Sequence, residues 1–86
     1  VYDVELDNQP RRFLKKIPDI LAGRITEKLK EFQEQPIPSD AKKVIGTDYW
    51  RARVGDYRIL YVVHHDKQEV VVSRIEHRSR GYDRIT

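Results

Sequence analysis

The chain has 86 residues, with 17 lysines and arginines against 14 aspartates and glutamates, three histidines, and neither cysteine nor methionine. That length makes residues 1–86 a single small domain with a modest core, and the composition excludes disulfide and thiolate chemistry. No stretch nears the roughly 18 apolar residues of a membrane span and no signal-peptide pattern is present, so a soluble, cytoplasmic protein with no membrane partner is expected. Position 1 is Val, and an initiator methionine is expected to be missing.

The elements follow in order. Tyr2 to Leu6 alternates and predicts an edge-like first strand. Asn8, Gln9 and Pro10 read as a helix start with proline at an early position, and Arg11 to Ile17 supplies about two turns. Pro18 either closes that helix or begins the next. In the second helix Leu21, Ile25, Leu29 and Phe32 recur on one face, with Glu27, Lys30 and Glu31 on the other. Pro36 and Pro38 end the helical pattern. Ser39 to Asp48 reads as a polar connection carrying Lys42 and Lys43.

The remainder predicts an antiparallel meander, rich in Val, Ile and Tyr. Its strands are Tyr49 to Val54, Tyr57 to His64, and Glu69 to about Arg78, joined by turns at Gly55-Asp56 and Asp66-Lys67-Gln68. The expected fold is α+β: an N-terminal strand, a helical hairpin, then a three-stranded antiparallel meander, with the helices packed on one sheet face.

The formal charge of +3 says little, but its distribution says more. Seven arginines and Lys67 lie between Arg51 and Thr86, against five carboxylates. Arginine's planar fork suits phosphate and stacking contacts, and a basic surface steers polyanions. Period-two alternation places Trp50, Ala52 and Val54 on one face and Arg51 and Arg53 on the other. The next strand places Tyr57, Ile59, Tyr61 and Val63 on one face, and Arg58, Leu60, Val62 and His64 on the other. Arg58 can therefore face Arg51 and Arg53. Three guanidinium groups on one face repel one another, and a bound phosphate would make the arrangement favourable. The plainer alternative is a solvated face that keeps the sheet soluble.

The segment from Glu76 to Tyr82 gathers His77, Arg78, Arg80 and Tyr82. Histidine exchanges protons near neutral pH, whereas arginine stays protonated. His77 is thus the best proton-transfer candidate if the chain cleaves anything. Arg58 and Arg78 would stabilise charge developing on a phosphate, and Tyr82 would stack on a base or offer its hydroxyl. Each has a structural alternative: a histidine at a strand end, a tyrosine closing a mini-core, an arginine as surface charge. Strict alternation puts Arg78 on the face of Val70 and Val72, so its meeting with Arg58 depends on register or on a bulge near Arg74. His64 and His65 are adjacent, point to opposite faces and make poor joint metal ligands. There is no phosphate-binding glycine loop, no paired-carboxylate setting and no convincing DNA-recognition helix.

The stretches Tyr49-Trp-Arg-Ala-Arg-Val-Gly-Asp-Tyr-Arg-Ile-Leu-Tyr61 and Ile75-Glu-His-Arg-Ser-Arg-Gly-Tyr82, with this element order, resemble the RelE/ParE toxin superfamily of type II toxin–antitoxin systems, and its RelE-like branch in particular. The resemblance spans nearly the whole chain and implies a microbial-RNase-like RelE fold. It also implies a ribosome-dependent mRNA interferase, a metal-independent endoribonuclease without cofactor. Such an enzyme cuts messenger RNA in the A site by 2′-hydroxyl attack on the adjacent phosphate and so inhibits translation. The implied partners are the 70S ribosome, mRNA and a RelB-like antitoxin, with no direct DNA binding by this chain alone. Arg51 and Arg53 stand where the best-known RelE enzyme has lysines that contact and activate the RNA. Arg58 and Arg78 match arginines that stabilise the transition state, and Tyr82 matches the tyrosine that stacks on a messenger base. Arg80 would join Arg51 and Tyr82 in binding substrate. Lysine-to-arginine changes at 51 and 53 keep the charge and weaken any proton transfer there, and His77 falls where several relatives carry histidine. The alternatives are a ParE-like DNA gyrase inhibitor and a non-catalytic ribosome- or RNA-binding domain. Cleavage of free RNA is not expected from so few orienting groups.

Overall fold

The computed structural model describes residues 1–78. In chain order it comprises β1 (Asp3–Leu6), α1 (Asn8–Lys16), α2 (Asp19–Glu34), β2 (Lys42–Lys43), β3 (Trp50–Val54), β4 (Tyr57–His64) and β5 (Glu69–His77). The strands form one sheet in the order β1-β5-β4-β3-β2, antiparallel throughout except that β1 runs parallel to β5. The meander and both helices fall where the sequence pattern puts them. The sheet gains a strand at Lys42–Lys43, within the stretch expected to be polar connection.

Each helix starts and stops for local reasons. Pro10 sits in the first turn of α1, where its missing N–H has no intrahelical partner to lose. Lys15 and Lys16 close α1 at its negative dipole end. Pro18 caps α2 rather than belonging to α1, and its carbonyl accepts the Ala22 N–H at 3.0 Å. At the other end of α2 the Gln35 N–H donates to Glu31 before Pro36 stops the helix.

Both helices cover one sheet face. Ile25, Leu29 and Phe32 of α2 are buried against Ala52, Ile59, Tyr61, Val70, Val72 and Ile75. Phe32 lies over Tyr61 with ring centroids 4.3 Å apart. From α1, Phe13 meets Tyr57 edge-on at 5.6 Å. Tyr57 and Tyr61 lie four residues apart on β4, so they share the helix-covered face.

β5 changes face midway. Leu60 pairs with Arg74 and Tyr61 with Val72, leaving Ser73 as an extra residue opposite that step. The bulge keeps Val70 and Val72 in the core and, beyond it, returns Ile75 to the same core while turning Arg74 and Glu76 outward. β1 pairs with β5 only as far as Val72. Past that point the Gln9 side chain continues the ladder: its Nε2 donates to the Ile75 carbonyl at 2.8 Å and its Oε1 accepts the Ile75 N–H at 2.9 Å. Removing this amide would leave two part-buried backbone groups unpaired. Gln9→Ala is expected to lower unfolding free energy by about 1–3 kcal/mol in urea titrations. Gln9→Glu, which sets a carboxylate against the Ile75 carbonyl, should be no better than alanine.

Candidate nucleic-acid interface

The sheet face opposite the helices carries the cations. Arg51 pairs across from Leu60, and Arg53 from Arg58. Arg58 in turn pairs across from Glu76, and Leu60 from Arg74. Directly opposed residues share a face with Cβ atoms about 5 Å apart. β2 adds Lys42 opposite Arg51, while its neighbour Lys43 turns the other way and places its ammonium 5.4 Å from the Trp50 ring centroid. The Arg78 N–H donates to the Asp56 carbonyl at 2.7 Å, which ties the end of β5 to the β3–β4 turn. Gly55 in that turn takes a φ of 59°, the left-handed value that the first central position of a type II′ turn requires.

The outcome is a cavity of about 240 Å³ lined by Asp40, Lys42, Arg51, Arg53, Arg58 and Arg78. Register thus brings four of the expected site residues, Arg51, Arg53, Arg58 and Arg78, to one place, and the Ser73 bulge turns β5 so that Arg78 joins them. Two guanidinium groups 6–8 Å apart repel by about 2–3 kcal/mol at an effective dielectric near 20. Five cations around one cavity therefore favour an anion inside it.

His77 is not among them. The same bulge sends it to the helix-covered face, where it pairs across from Tyr57 and meets that ring edge-on at 5.4 Å. It borders hollows shared with Leu21 and Ile25 on one side and Phe13 and Ile17 on the other. The proton-transfer role expected of it in the arginine site has the thickness of the sheet in the way. Arg80 and Tyr82 lie outside the described residues.

Three residues at the site were not singled out from sequence. Glu76 is buried on the cation face, opposite Arg58 and ion-paired with Arg74. Arg58 is itself only 8% exposed, and a buried guanidinium requires a nearby opposite charge. Lys42 reaches the cavity through a strand too short for periodicity to reveal. Asp40 reaches it from the loop after α2, where both its carboxylate oxygens accept from Lys28, at 2.8 and 3.0 Å. Hydrogen bonding to Lys28 holds the Asp40 carboxyl below the usual range despite the opposing effect of burial. Burial alone would lower the Lys28 ammonium, but its bonds to Asp40 and Glu31 raise it overall. Nearby, the Tyr61 hydroxyl is buried without a partner among the described residues. Burial first, then the charges of Asp40 and Glu31, push it well above the usual phenol range. No helix of the described residues is long and apolar enough to cross a membrane.

A family profile described as the ParE toxin of type II toxin–antitoxin systems, parDE, matches residues 4–82. The chain belongs to this toxin family. It is 28% identical over 85 residues, 94% of each chain, to a protein named toxin RelE1 from Methanocaldococcus jannaschii. Its fold matches the archaeal RelE of the RelE–RelB complex from Pyrococcus horikoshii with a TM-score of 0.83 and 29% identity, covering 92% of this chain and 97% of that one. A chain of the RelBE2 toxin–antitoxin complex from Mycobacterium tuberculosis matches with a TM-score of 0.77 and 28% identity, over 90% and 98%. The protein is thus a type II toxin of the RelE/ParE superfamily with RelE-like structural neighbours.

Two measurements check this toxin's site. Glu76→Gln removes the negative charge beside Arg58 and Arg74 and is expected to cost about 3 kcal/mol or more in urea unfolding. The Lys28–Asp40 link acts through a lowered carboxyl value, so its contribution is present above the ordinary value of 3.8 and is lost as pH falls through the folded value. The Tm difference between wild type and Asp40→Asn should accordingly shrink between about pH 6 and about pH 3.

Proposed function

We propose that this toxin is a ribosome-dependent mRNA endonuclease. In this reading the message backbone enters the cavity between β2, β3, β4 and the end of β5. The ribose 2′-hydroxyl gives up its proton to solvent as its oxygen attacks the adjacent phosphorus. The bond to the 5′-oxygen breaks, and that oxygen takes up a proton from solvent, so a cyclic phosphate and a 5′-hydroxyl end result. The observation that carries the reading is the convergence of Arg51, Arg53, Arg58, Arg78 and Lys42 on one cavity. Charge gathers on the non-bridging oxygens during such a transfer, and preorganised guanidinium groups are suited to meet it. Arg58 is the most constrained of them, since it sits buried in a central strand with Glu76 opposite. We assign transition-state stabilisation to Arg58 and Arg78 and RNA positioning to Arg51 and Arg53. His77 is a packing residue of the helix-covered face in this scheme. The natural inhibitor would be a RelB-like antitoxin, as in the similar complexes, and the setting the cytoplasm, where ribosomes are.

The ParE description of the family profile keeps gyrase inhibition as the competing reading. Primer extension on a defined message in 70S ribosomes separates the two. Wild type is expected to give a cut in the A-site codon that requires ribosomes. Arg58→Ala should slow it by about 100-fold or more, as loss of one oxyanion-stabilising donor does. His77→Gln should stay within about three-fold of wild type, as expected of a group that moves no proton in the reaction. Intact message with folded protein at stoichiometric amounts would rule out the endonuclease and direct attention to gyrase supercoiling. A collapse of cutting in His77→Gln, with its fold intact, would return the histidine to the mechanism.

A further inference from the structure

Asp40 is the one carboxylate among the described residues lining the arginine cavity. Arginine binds carboxylate and phosphate with the same forked geometry, so a carboxylate at the rim is a natural competitor for an incoming phosphate. Being on the same chain, it competes at an effective concentration of roughly millimolar or above. Nothing covalent holds it away.

What holds it is Lys28. Both Asp40 oxygens accept from the Lys28 ammonium, at 3.0 and 2.8 Å, and the ammonium also donates to Glu31 at 3.1 Å. An ammonium has three donors, and these contacts use all of them. Lys28 is the fixed member of the pair. Its side chain is 14% exposed against 49% for Asp40, and Glu31 steadies it from the next turn of the same helix. The lysine stands on α2 and borders a neighbouring hollow with Arg53 rather than the cavity itself, so its two bonds tie the Asp40 carboxylate to the helix.

We propose that Lys28 is a positioning residue of the phosphate cavity, which by holding Asp40 prevents that carboxylate from becoming an internal counter-ion of the arginines. This rests on the cavity being the phosphate site proposed above. Without Lys28 the loop carboxylate turns inward, neutralises part of the cavity and competes with RNA. Without Asp40 the lysine has nothing to restrain, and its loss becomes silent. A purely structural ion pair behaves differently, because removing either partner breaks the same bonds.

The test is fluorescence anisotropy at low ionic strength, where phosphate contacts are strongest. The probe is a labelled 2′-O-methyl RNA hexanucleotide, which presents phosphates and cannot be cut. Lys28→Ala is expected to weaken binding by about five-fold or more, and Asp40→Asn to bind as well as wild type or up to about three-fold tighter. The double variant should match Asp40→Asn, and Lys28→Arg should restore wild-type binding. The proposal is overturned if Lys28→Ala binds like wild type. It is equally overturned if Asp40→Asn weakens binding as Lys28→Ala does, or if the double variant stays as weak as Lys28→Ala. Wild type that fails to bind, or that binds no better than Arg58→Ala, would remove the phosphate reading and this inference together. Binding lost in Arg58→Ala but unmoved in Lys28→Ala would remove this inference alone.

Discussion

The extra residue at Ser73 decides which side chains of β5 meet which face of the sheet. A strand without it would have to choose. If Val70 and Val72 faced the helices, then Arg74, Glu76 and Arg78 would follow them inward and Ile75 would face out. The opposite choice would bury Val71 and expose the valines. The bulge satisfies both halves: apolar Val70, Val72 and Ile75 are fully buried, and Arg74 and Glu76 join the face of Arg58. A bulge costs one unpaired position in the ladder and adds local twist. Here that position sits beside the place where β1 stops pairing and the Gln9 amide takes over, so the backbone groups beyond it still find partners.

Once the faces are sorted, the sheet has two different energetic characters. The helix-covered side is held by burial of Ile25, Phe32, Ile59, Tyr61, Val70, Val72 and Ile75, each contributing through apolar area removed from water. The other side is electrostatic and depends on its carboxylates. Glu76 lies among Arg58 and Arg74, and Asp40 is bound by Lys28 at the rim. Both carboxylates are engaged by cations that border the cavity or lie outside it. One carboxylate thus sits beside Arg58 at the centre of the sheet, and around the cavity itself five cations face one carboxylate.

How much of this was legible in the sequence depended on whether a feature had a period. Alternation from Trp50 to His64 separates Arg51, Arg53 and Arg58 from the core residues without any structure, and the spacing of Leu21, Ile25, Leu29 and Phe32 marks the buried stripe of α2. The bulge breaks the period in β5, so alternation alone could name Ser73's neighbourhood as the uncertain place but not say which face His77 and Arg78 would take. That one residue sent the histidine to Tyr57 and the arginine to the cavity. Lys42 belongs to a strand of two residues, below the length at which any pattern exists. Asp40 and Glu76 carry no local signature because their significance lies in partners distant in sequence, at Lys28 and at Arg58. The family resemblance carried the fold further than the pattern did, since it rested on the stretch from Tyr49 to Tyr61, where pattern and motif coincide.

The composition of the cavity also bears on what the proposed chemistry would need from elsewhere. Arginines remain protonated and cannot accept the proton of a 2′-hydroxyl. What they can supply is charge stabilisation, worth about 3–4 kcal/mol for a well-placed donor. Holding the attacking oxygen in line with the phosphorus is worth more, about 7–11 kcal/mol for a well-oriented intramolecular reaction. In that reading the cavity would grip phosphates, but its lining has few groups that could fix a ribose and a leaving oxygen in line. The larger contribution would then have to come from whatever constrains the message on both sides of the scissile bond. On these magnitudes the proposed reaction would need the ribosome as a working part of its active site, with the arginine-rich face contributing charge stabilisation to it.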